Sequence, residues 1–333
     1  MQKFSADKRD IAACRALLCG GSRSFFAASL LLPGRIRGPA TALYAFCREA
    51  DDAIDLGDDP RAALERLNQR LDAAYAGNPE QNPVDRAFAA TVEAFAIPRA
   101  LPAALIEGLA WDTASRRYQS FEELLDYCAR VAGGVGVMMT LIMGVRDPHA
   151  LARAADLGVA MQLTNIARDV GEDAAAGRLF LPLDWLDAAG IEPGNLAFTP
   201  ALASVIQRLL AEAAALYARA APGIAMLPLT CRTGIAAARR IYAAIGEKIA
   251  LAGHDSITRR ARVPDREKIA LAGRAALDTL TWPVAATTPA LPANLFLINA
   301  AIAATPPAEP TTAIRVLMLF ERLERMQRES IPA

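Results

Sequence analysis

Apolar residues recur at the three- and four-residue spacing of amphipathic helices along almost the whole chain, and the alternating pattern of strands is scarce. Ala and Leu dominate the 53% of residues that are hydrophobic, and both enter helices at little cost. The sequence therefore predicts an all-α fold. The predicted helices cover residues 8–19, 23–32, 37–56, 60–76, 83–96, 99–116, 120–145, 148–173, 200–221, 228–252 and 264–281.

Proline placement divides the 333 residues into two unequal parts. Residues 1–281 are predicted to form one all-α domain, a length that suffices for a large core. Residues 282–333 are predicted to be a Pro-rich linker followed by a short C-terminal helix near 313–329. The stretch 279–308 carries no charged residue, but its five prolines argue against a membrane-spanning helix. Contact with a membrane surface is the expectation for this stretch.

Charge and composition argue against several classes of function. Lys plus Arg and Asp plus Glu both number 36, so the net field does not favour nucleic acid. Two histidines, His149 and His254, argue against a His-based zinc site or a Ser-His-Asp triad. The five cysteines include no C-x-x-C pair, and no signal-peptide core follows Met1. Reduced thiols in a cytoplasmic protein are therefore expected.

The segment 46–55 is the first of two acidic motifs. Asp51 and Asp55 are four residues apart, so their carboxylates stack on one helix face, and Arg48 and Tyr44 belong to the same stripe. Like charges at this spacing repel, and a divalent cation is the obvious group to offset the repulsion. One such pair alone is more often a solvated helix face.

The second acidic motif lies between residues 162 and 173. Gln162, Asn165, Asp169 and Asp173 follow steps of three, four and four residues, so all four project from one helix face. Carboxylate and amide oxygens are the ligands that Mg²⁺ needs. Two facing helices of this kind could hold cations that bind a diphosphate and stabilise it as a leaving group. The nearby arginines that could add contacts to phosphate oxygens are Arg48, Arg168 and Arg178.

These motifs and their surroundings resemble the squalene/phytoene synthase family. Residues 21–25 are similar to the family's N-terminal Ser-Phe segment, and residues 44–48 lead into the first motif as in family members. Residues 127–136 and 157–182 match two long family signatures, and the resemblance covers residues 10–275 in order. It implies a single isoprenoid-synthase-type helical bundle around a central apolar cavity. Both acidic helices would face each other near the mouth of that cavity.

The resemblance also implies roles for individual residues. The implied metal ligands are Asp51, Asp52, Asp55, Asn165, Asp169 and Asp173. The implied substrate-binding residues are Ser22, Phe25, Tyr44, Arg48, Gln162, Asn165, Arg168, Tyr242 and Arg260. The residues expected to be catalytic are Tyr44, Arg48, Asp51, Asp55 and Asp169. Two positions depart from the family pattern: Gly21 stands where some relatives have His, and Arg262 where many have Tyr or Phe.

The activity implied by the resemblance is that of a prenyltransferase in carotenoid biosynthesis. Two geranylgeranyl diphosphates would condense head to head, through prephytoene diphosphate, to phytoene, with release of diphosphate. Mg²⁺ or Mn²⁺ is the implied cofactor, and NADPH is not expected. Because the product is a lipid, we expect peripheral contact with the inner face of the cytoplasmic membrane, through residues 283–304 and basic residues such as Arg35 and Arg37. Downstream carotenoid enzymes are expected partners.

Carbocations react with water, so the cavity must be dry and apolar. The expected lining from the helix 120–145 is Val131, Val135, Val137, Met138 and Leu141. The glycines Gly133, Gly134 and Gly136 weaken that helix, and either close helix packing or clearance for substrate could explain them.

Related activities stay open at this point. Squalene, dehydrosqualene and presqualene diphosphate synthases carry the same acids and use farnesyl diphosphate. A relative that serves as a non-catalytic assembly factor is a further alternative, although such relatives typically lose the acids. The depth of the cavity decides between C15 and C20 substrates, and the sequence does not identify its floor. The departing diphosphate or a tyrosine could accept the final proton.

Overall fold

The computed structural model describes residues 4–55, 59–278 and 288–304. Within these ranges the regular structure is helical and contains no strand, so the predicted all-α fold is confirmed. The helices are α1 Lys8–Gly21, α2 Arg23–Ser29, α3 Gly34–Asp55, α4 Pro60–Tyr75, α5 Pro83–Ala94, α6 Ala100–Thr113, α7 Phe121–Cys128, α8 Gly134–Ile142, α9 Pro148–Ala175, α10 Leu183–Ala188, α11 Pro200–Ala220, α12 Leu229–Leu251, α13 Asp265–Asp278 and α14 Leu295–Ala303.

Local capping signals fix where several helices begin. The Asp59 side chain accepts hydrogen bonds from the backbone N–H groups of Arg61 and Ala62, and Pro60 occupies the first turn of α4. Such a cap accepts hydrogen bonds from backbone N–H groups that have no partner inside the helix. Proline has no backbone N–H, so it suits the first helical position, where an N–H would have no partner within the helix. The same arrangement begins α5 at Asn82, α9 at Asp147 and α11 at Thr199.

The structure differs from the predicted helices in several places, among them the ends of α2 and α6, each of which comes three residues early. The predicted helix 120–145 is divided into α7 and α8 by a π-helical turn, Ala129–Gly133. Helix α3 begins at Gly34, three residues early, and accommodates Pro39 in its second turn. The short helix α10 was not predicted, because six residues carry too little periodicity to be distinguished from a loop.

Helix α9 is the central element of the bundle and packs against α8, α11 and α12. Two glycines make its contact with the preceding segment possible. A Cβ atom on Gly136 would lie 2.2 Å from the carbonyl oxygen of Ala154, and one on Gly158 would lie 2.2 Å from that of Ala132. Close helix packing therefore explains Gly136, although the residue also lines the central cavity.

Part of the predicted linker is packed against the bundle. Residues 292–303 form a 3₁₀ turn and α14, which contacts α6 and α9 and buries Leu297, Ile298 and Ala301. This helix differs from the linker expectation because its apolar face finds a partner surface that the local prolines did not reveal. The division at residue 281 stays a prediction, and the predicted helix 313–329 lies outside the described residues.

In the described part of the chain, two continuous helical stretches, Phe121–Ile142 and Pro200–Met226, are long and apolar enough to cross a membrane by length and composition alone. Both pack within the bundle, where helices of the core have the same composition. In the stretch 279–308, the described helix α14 has nine residues and is too short to span a bilayer.

Candidate active site

The two acidic motifs lie at the C-terminal ends of α3 and α9, and the structure brings them together. Arg178, in the loop after α9, connects them directly: its Nη1 lies 2.8 Å from Asp55 Oδ1 and its Nη2 lies 3.1 Å from Asp173 Oδ1. One guanidinium can bridge two carboxylates only if their helices face each other. The expected juxtaposition of the acidic helices is therefore present in the structure.

Within the first motif, Arg48 binds the neighbouring acids. Its guanidinium makes a bidentate pair with Asp52, in which Nε lies 2.9 Å from Oδ2, and Nη1 lies 3.5 Å from Asp51 Oδ2. Asp52 is thus the main partner of Arg48. Asp51 and Asp55 continue the stripe toward Arg178.

Within the second motif, two arginines hold Asp169. The Nε atoms of Arg168 and Arg260 each lie 2.8 Å from Asp169 Oδ1, and Arg260 also lies 3.3 Å from Glu172. Burial alone would raise the pKa of Asp169, but hydrogen bonds from both arginines outweigh it and hold the pKa below its ordinary value. Arg260 therefore lies at the acidic cluster, and both Arg260 and Arg262 are exposed.

Asp51 and Asp173 have the opposite electrostatic character. Burial, reinforced by the charge of Asp55, raises the pKa of Asp51 to about 6. Burial likewise raises the pKa of Asp173 to about 6, against the attraction of Arg178. Carboxylates that crowd one another in this way gain stability when a cation or a proton neutralises them.

The donor set fits a hard cation, although these side chains are not arranged as a preformed metal site. Across residues 4–55, 59–278 and 288–304, no group of three or more His, Cys, Asp or Glu side chains is clustered closely enough to hold a metal ion. The acids instead pair with arginines. However, Asn165 donates to Gln162 Oε1 at 3.3 Å and leaves its own buried Oδ1 without a hydrogen-bond partner. An unpaired amide oxygen beside carboxylates is a suitable oxygen ligand.

Aromatic side chains form one wall at the entrance to the cavity. The ring of Phe25 lies between those of Tyr44 and Tyr242, at centroid distances of 5.9 and 5.2 Å. Ser22 caps α2 by accepting from Phe25 N–H and is also hydrogen-bonded to Tyr242. Burial raises the pKa of Tyr44 to about 12, so its hydroxyl stays protonated. Gly21 adjoins this wall, since a Cβ there would lie 2.6 Å from Tyr44 Oη.

A central apolar cavity of about 290 Å³ extends from this entrance between α2, α3, α8, α9 and α12. Its volume is near the lower end of the range for ligand pockets. The polar residues Gln162 and Asn165 line the cavity where it approaches the acids. Of the expected lining residues, Val131 and Val135 line the cavity. The expectation for Val137, Met138 and Leu141 is wrong, because these side chains do not line the cavity and pack elsewhere in the protein core.

Asp112 lies beside the acids in the structure, although it was not predicted as a site residue. Burial raises its pKa to about 7, its carboxylate accepts a 2.9 Å hydrogen bond from the Tyr127 hydroxyl, and the charges of Arg178, Asp51 and Asp55 act on it. Asp112 lies near the end of the apolar helix α6, five residues after Glu107, so no three- or four-residue spacing of acids identified it. Its neighbours belong to other helices and meet only in the fold.

Comparison with the sequences of known proteins gives the family that the motifs resemble. The squalene/phytoene synthase family matches residues 18–267. A phytoene synthase from Cereibacter sphaeroides is 50% identical over 95% of both chains. A 15-cis-phytoene synthase from a Paracoccus species is 45% identical over 76% of this chain and 86% of the relative.

Solved structures show the same fold. A dehydrosqualene synthase in complex with a ligand superposes with a TM-score of 0.76 at 27% identity, over 83% of this chain and 98% of that chain. The squalene synthase HpnC from Alicyclobacillus acidocaldarius superposes with a TM-score of 0.68, also at 27% identity, over 74% of this chain and 95% of that chain.

Proposed function

The chain belongs to the squalene/phytoene synthase family, and from that premise we propose that it condenses two geranylgeranyl diphosphates to phytoene. Condensation proceeds head to head through prephytoene diphosphate and releases diphosphate, as a step of carotenoid biosynthesis. The observation that carries this proposal is that the paired arginines and aspartates lie next to the end of an apolar cavity that Gln162 and Asn165 line. The polar entrance suits a diphosphate, and the cavity suits its prenyl chain.

A bound Mg²⁺ or Mn²⁺ supplies positive charge that stabilises the departing diphosphate. The residues that would hold it are Asp51, Asp52, Asp55, Asn165, Asp169 and Asp173. Asp52 and Asp169 are paired with Arg48 and Arg168 in the structure, so cation binding requires these pairs to rearrange. The released guanidiniums would then be available for phosphate oxygens, to which arginine binds in a bidentate manner.

The remaining residues position the substrate and exclude water. Phe25, Tyr44 and Tyr242 form the wall at which the diphosphate meets the prenyl chain. Gln162 lines the cavity at the same level. Because the cavity wall beyond them is apolar, a carbocation formed there would be kept from water. NADPH is not part of the proposed reaction, since proton loss completes phytoene without a reductant.

We extend the proposal to a cytoplasmic protein that is peripheral on the inner face of the membrane, near downstream carotenoid enzymes. Leu30 and Leu31 after α2 and Leu229 at the start of α12 are exposed apolar side chains near the apolar end of the cavity. Arg35 is exposed beside them. Arg37 does not fit the expected membrane role, because its guanidinium donates to the carbonyl groups of residues 29, 30 and 32.

The proposal is tested by incubating the protein with Mg²⁺ and radiolabelled geranylgeranyl diphosphate, without NADPH, and separating the extracted lipids. Phytoene is the expected product. Asp51→Asn and Asp169→Asn should each lower its formation roughly a hundredfold or more, because each removes a charge at the leaving group. The exposed acid Asp187 on α10 provides the control, and Asp187→Asn should retain full activity.

A second candidate, a synthase that uses farnesyl diphosphate, is favoured by the similarity to the dehydrosqualene synthase structure. Turnover of farnesyl diphosphate to a C30 product, without phytoene from the C20 substrate, would replace the first proposal with this one. Inactivity of the folded protein on both substrates would favour the non-catalytic alternative.

A further inference from the structure

A charged side chain lies at the end of the cavity that is remote from the acidic motifs. Arg153 on α9 is 4% exposed and lines this end together with Ala150, Gly223 and Ile224. An unpaired guanidinium in an apolar cavity would be costly. The position of its charge therefore decides what the side chain can do there.

The charge of Arg153 is directed out of the cavity into a buried polar network. Its Nη2 lies 2.9 Å from Asp156 Oδ2 and 3.2 Å from the carbonyl oxygen of Pro289. Asp156 is fully buried and also accepts from Arg219 Nε at 2.8 Å and from Asn294 Nδ2 at 3.1 Å. Asp156, Pro289, Arg219 and Asn294 do not line the cavity. What is left to face the cavity is therefore the aliphatic part of Arg153 and its buried Nε, which has no hydrogen-bond partner.

The aliphatic part of Arg153 is also fixed in place from the other side. Gly223, in the 3₁₀ turn after α11, packs so closely that a Cβ on it would lie 2.2 Å from Arg153 Cβ and 2.9 Å from Cγ. The side chain is thus held at its charged end by an ion pair and at its base by backbone. A rigid side chain of this kind can limit the depth of a cavity.

The position of Arg153 along α9 matches the length of a C20 chain. Arg153 lies twelve residues before Asn165 on the same helix, which corresponds to about 18 Å at a rise of about 1.5 Å per residue. An extended prenyl chain advances roughly 1.25 Å per bond for bonds of about 1.5 Å, so a C20 chain spans about 19 Å and a C15 chain about 14 Å. A C15 chain would leave the far end of the cavity empty.

We infer that the aliphatic part of Arg153, held by Asp156, is the floor of the cavity and sets the longest prenyl chain that the site accepts. Arg153 is then a specificity-determining residue, and Asp156 and Gly223 position it. The inference rests on the proposed function, because the prenyl chain whose length Arg153 would limit is that of the proposed substrate.

Two substitutions at Arg153 test the inference. Arg153→Ala removes the aliphatic part and should raise the preference for a C25 over a C20 diphosphate by about tenfold or more, since even one methylene of fit changes discrimination by about that factor. Arg153→Met keeps a side chain of similar reach without the charge and should stay within about twofold of the wild type. Both variants leave Asp156 paired with Arg219 and Asn294, so the fold should persist.

The preference is measured in two ways. One is product formation from the C15, C20 and C25 diphosphates, and the other is calorimetric binding of the unreactive thiolo-diphosphate analogues with Mg²⁺. Arg219→Met is the matched control, because it breaks the same network at a residue that does not line the cavity. It should leave the chain-length preference unchanged. If Arg153→Ala binds the three analogues in the wild-type order, Arg153 is not the floor.

A variant that fills the cavity gives an independent test that does not depend on removing an arginine. Ala150 lines the same end and is 2% exposed. Ala150→Leu should shift the preference toward C15, and an unchanged preference in this variant would overturn the inference. Failure of the wild type to make phytoene would reject the proposed function alone, because the binding order of the analogues still reports the depth of the cavity.

Discussion

Asp51 and Asp173 stand out in the sequence only through their spacing from other polar residues, and in the structure burial raises the pKa of each to about 6. An acid whose pKa is raised on folding binds more protons in the folded than in the unfolded state between its two pKa values. These two residues therefore make the free protein less stable as the pH rises from about 4 to about 6. The loss persists at higher pH unless a cation binds.

This titration predicts a pH-dependent stabilisation by Mg²⁺. Above pH 6 both carboxylates are ionised and can bind the cation, whereas protons compete at lower pH. At pH 7.5, Mg²⁺ at a hundredfold excess over its Kd should raise the free energy of unfolding by up to about 3 kcal/mol, and the melting temperature should rise with it. At pH 5 most of this gain should disappear. Thermal unfolding in salt of matched ionic strength is the measurement, and equal gains at both pH values would contradict the prediction.

Gly21 and Gly20 allow a second test at single residues. A Cβ on Gly21 would lie 2.6 Å from Tyr44 Oη, whereas one on Gly20 meets no atom within 4 Å. Gly21→Ala should displace the Tyr44 ring from Phe25 and lower turnover on the order of tenfold, because small misplacements at a site slow a reaction strongly. Gly20→Ala should leave turnover unchanged. Steady-state kinetics decide, and equal rates for both variants would remove Tyr44 from the proposed site.

At the scale of helices, the contact between α8 and α9 depends on the absence of a side chain at Gly136. A Cβ at this position would lie 2.2 Å from a backbone oxygen, and backbone cannot move aside as a side chain can. Gly136→Ala should therefore lower the free energy of unfolding by about 1–3 kcal/mol or more. Gly273 in α13 meets no atom within 4 Å, so Gly273→Ala should raise it by about 0.5–1 kcal/mol. Urea denaturation of both variants measures the two changes in the free energy of unfolding, which should have opposite signs.

At the scale of the whole molecule, Asp156 joins α9 to α11 and to residues 289–294 through one buried carboxylate. Asp156→Ala leaves the buried Arg153 and the partly buried Arg219 without a counter-charge and should cost about 3–5 kcal/mol. Asp72, which pairs with Arg99 at the surface, is the control, and Asp72→Ala should have a much smaller effect. Chemical denaturation is the measurement. Similar losses for both variants would show that the network adds nothing to stability.

Much of the fold follows from local sequence. The predicted starts of α4, α5, α9 and α11 agree with the structure, and at each of them an Asp, Asn or Thr cap is followed directly by proline, both of which act within one helical turn. The π-helical turn 129–133 and α14 were not predicted, because neighbouring helices rather than local preference stabilise them.

The acidic stripes on α3 and α9 were visible in the sequence because helical periodicity alone places residues three and four apart on one face. Arg178 was expected near the acids, but its bridge between Asp55 and Asp173 depends on how the loop after α9 folds back. The roles assigned to these residues stay predictions. Asp112 was missed because the other acid of the apolar helix α6, Glu107, is five residues away and gives no helical stripe with it.

By itself, the sequence determined the helical class, most helix starts and the two polar stripes, because these depend on interactions within a few residues of each other. Only the tertiary structure decided which stripes face each other, which acids have raised pKa values and where the cavity ends. Those properties arise between residues far apart in the chain: Arg153 becomes a candidate floor only because Asp156, Pro289 and Gly223 surround it. The pKa values of the acids and the depth of the cavity are set by burial and by contacts between distant residues, and not by spacing along the chain.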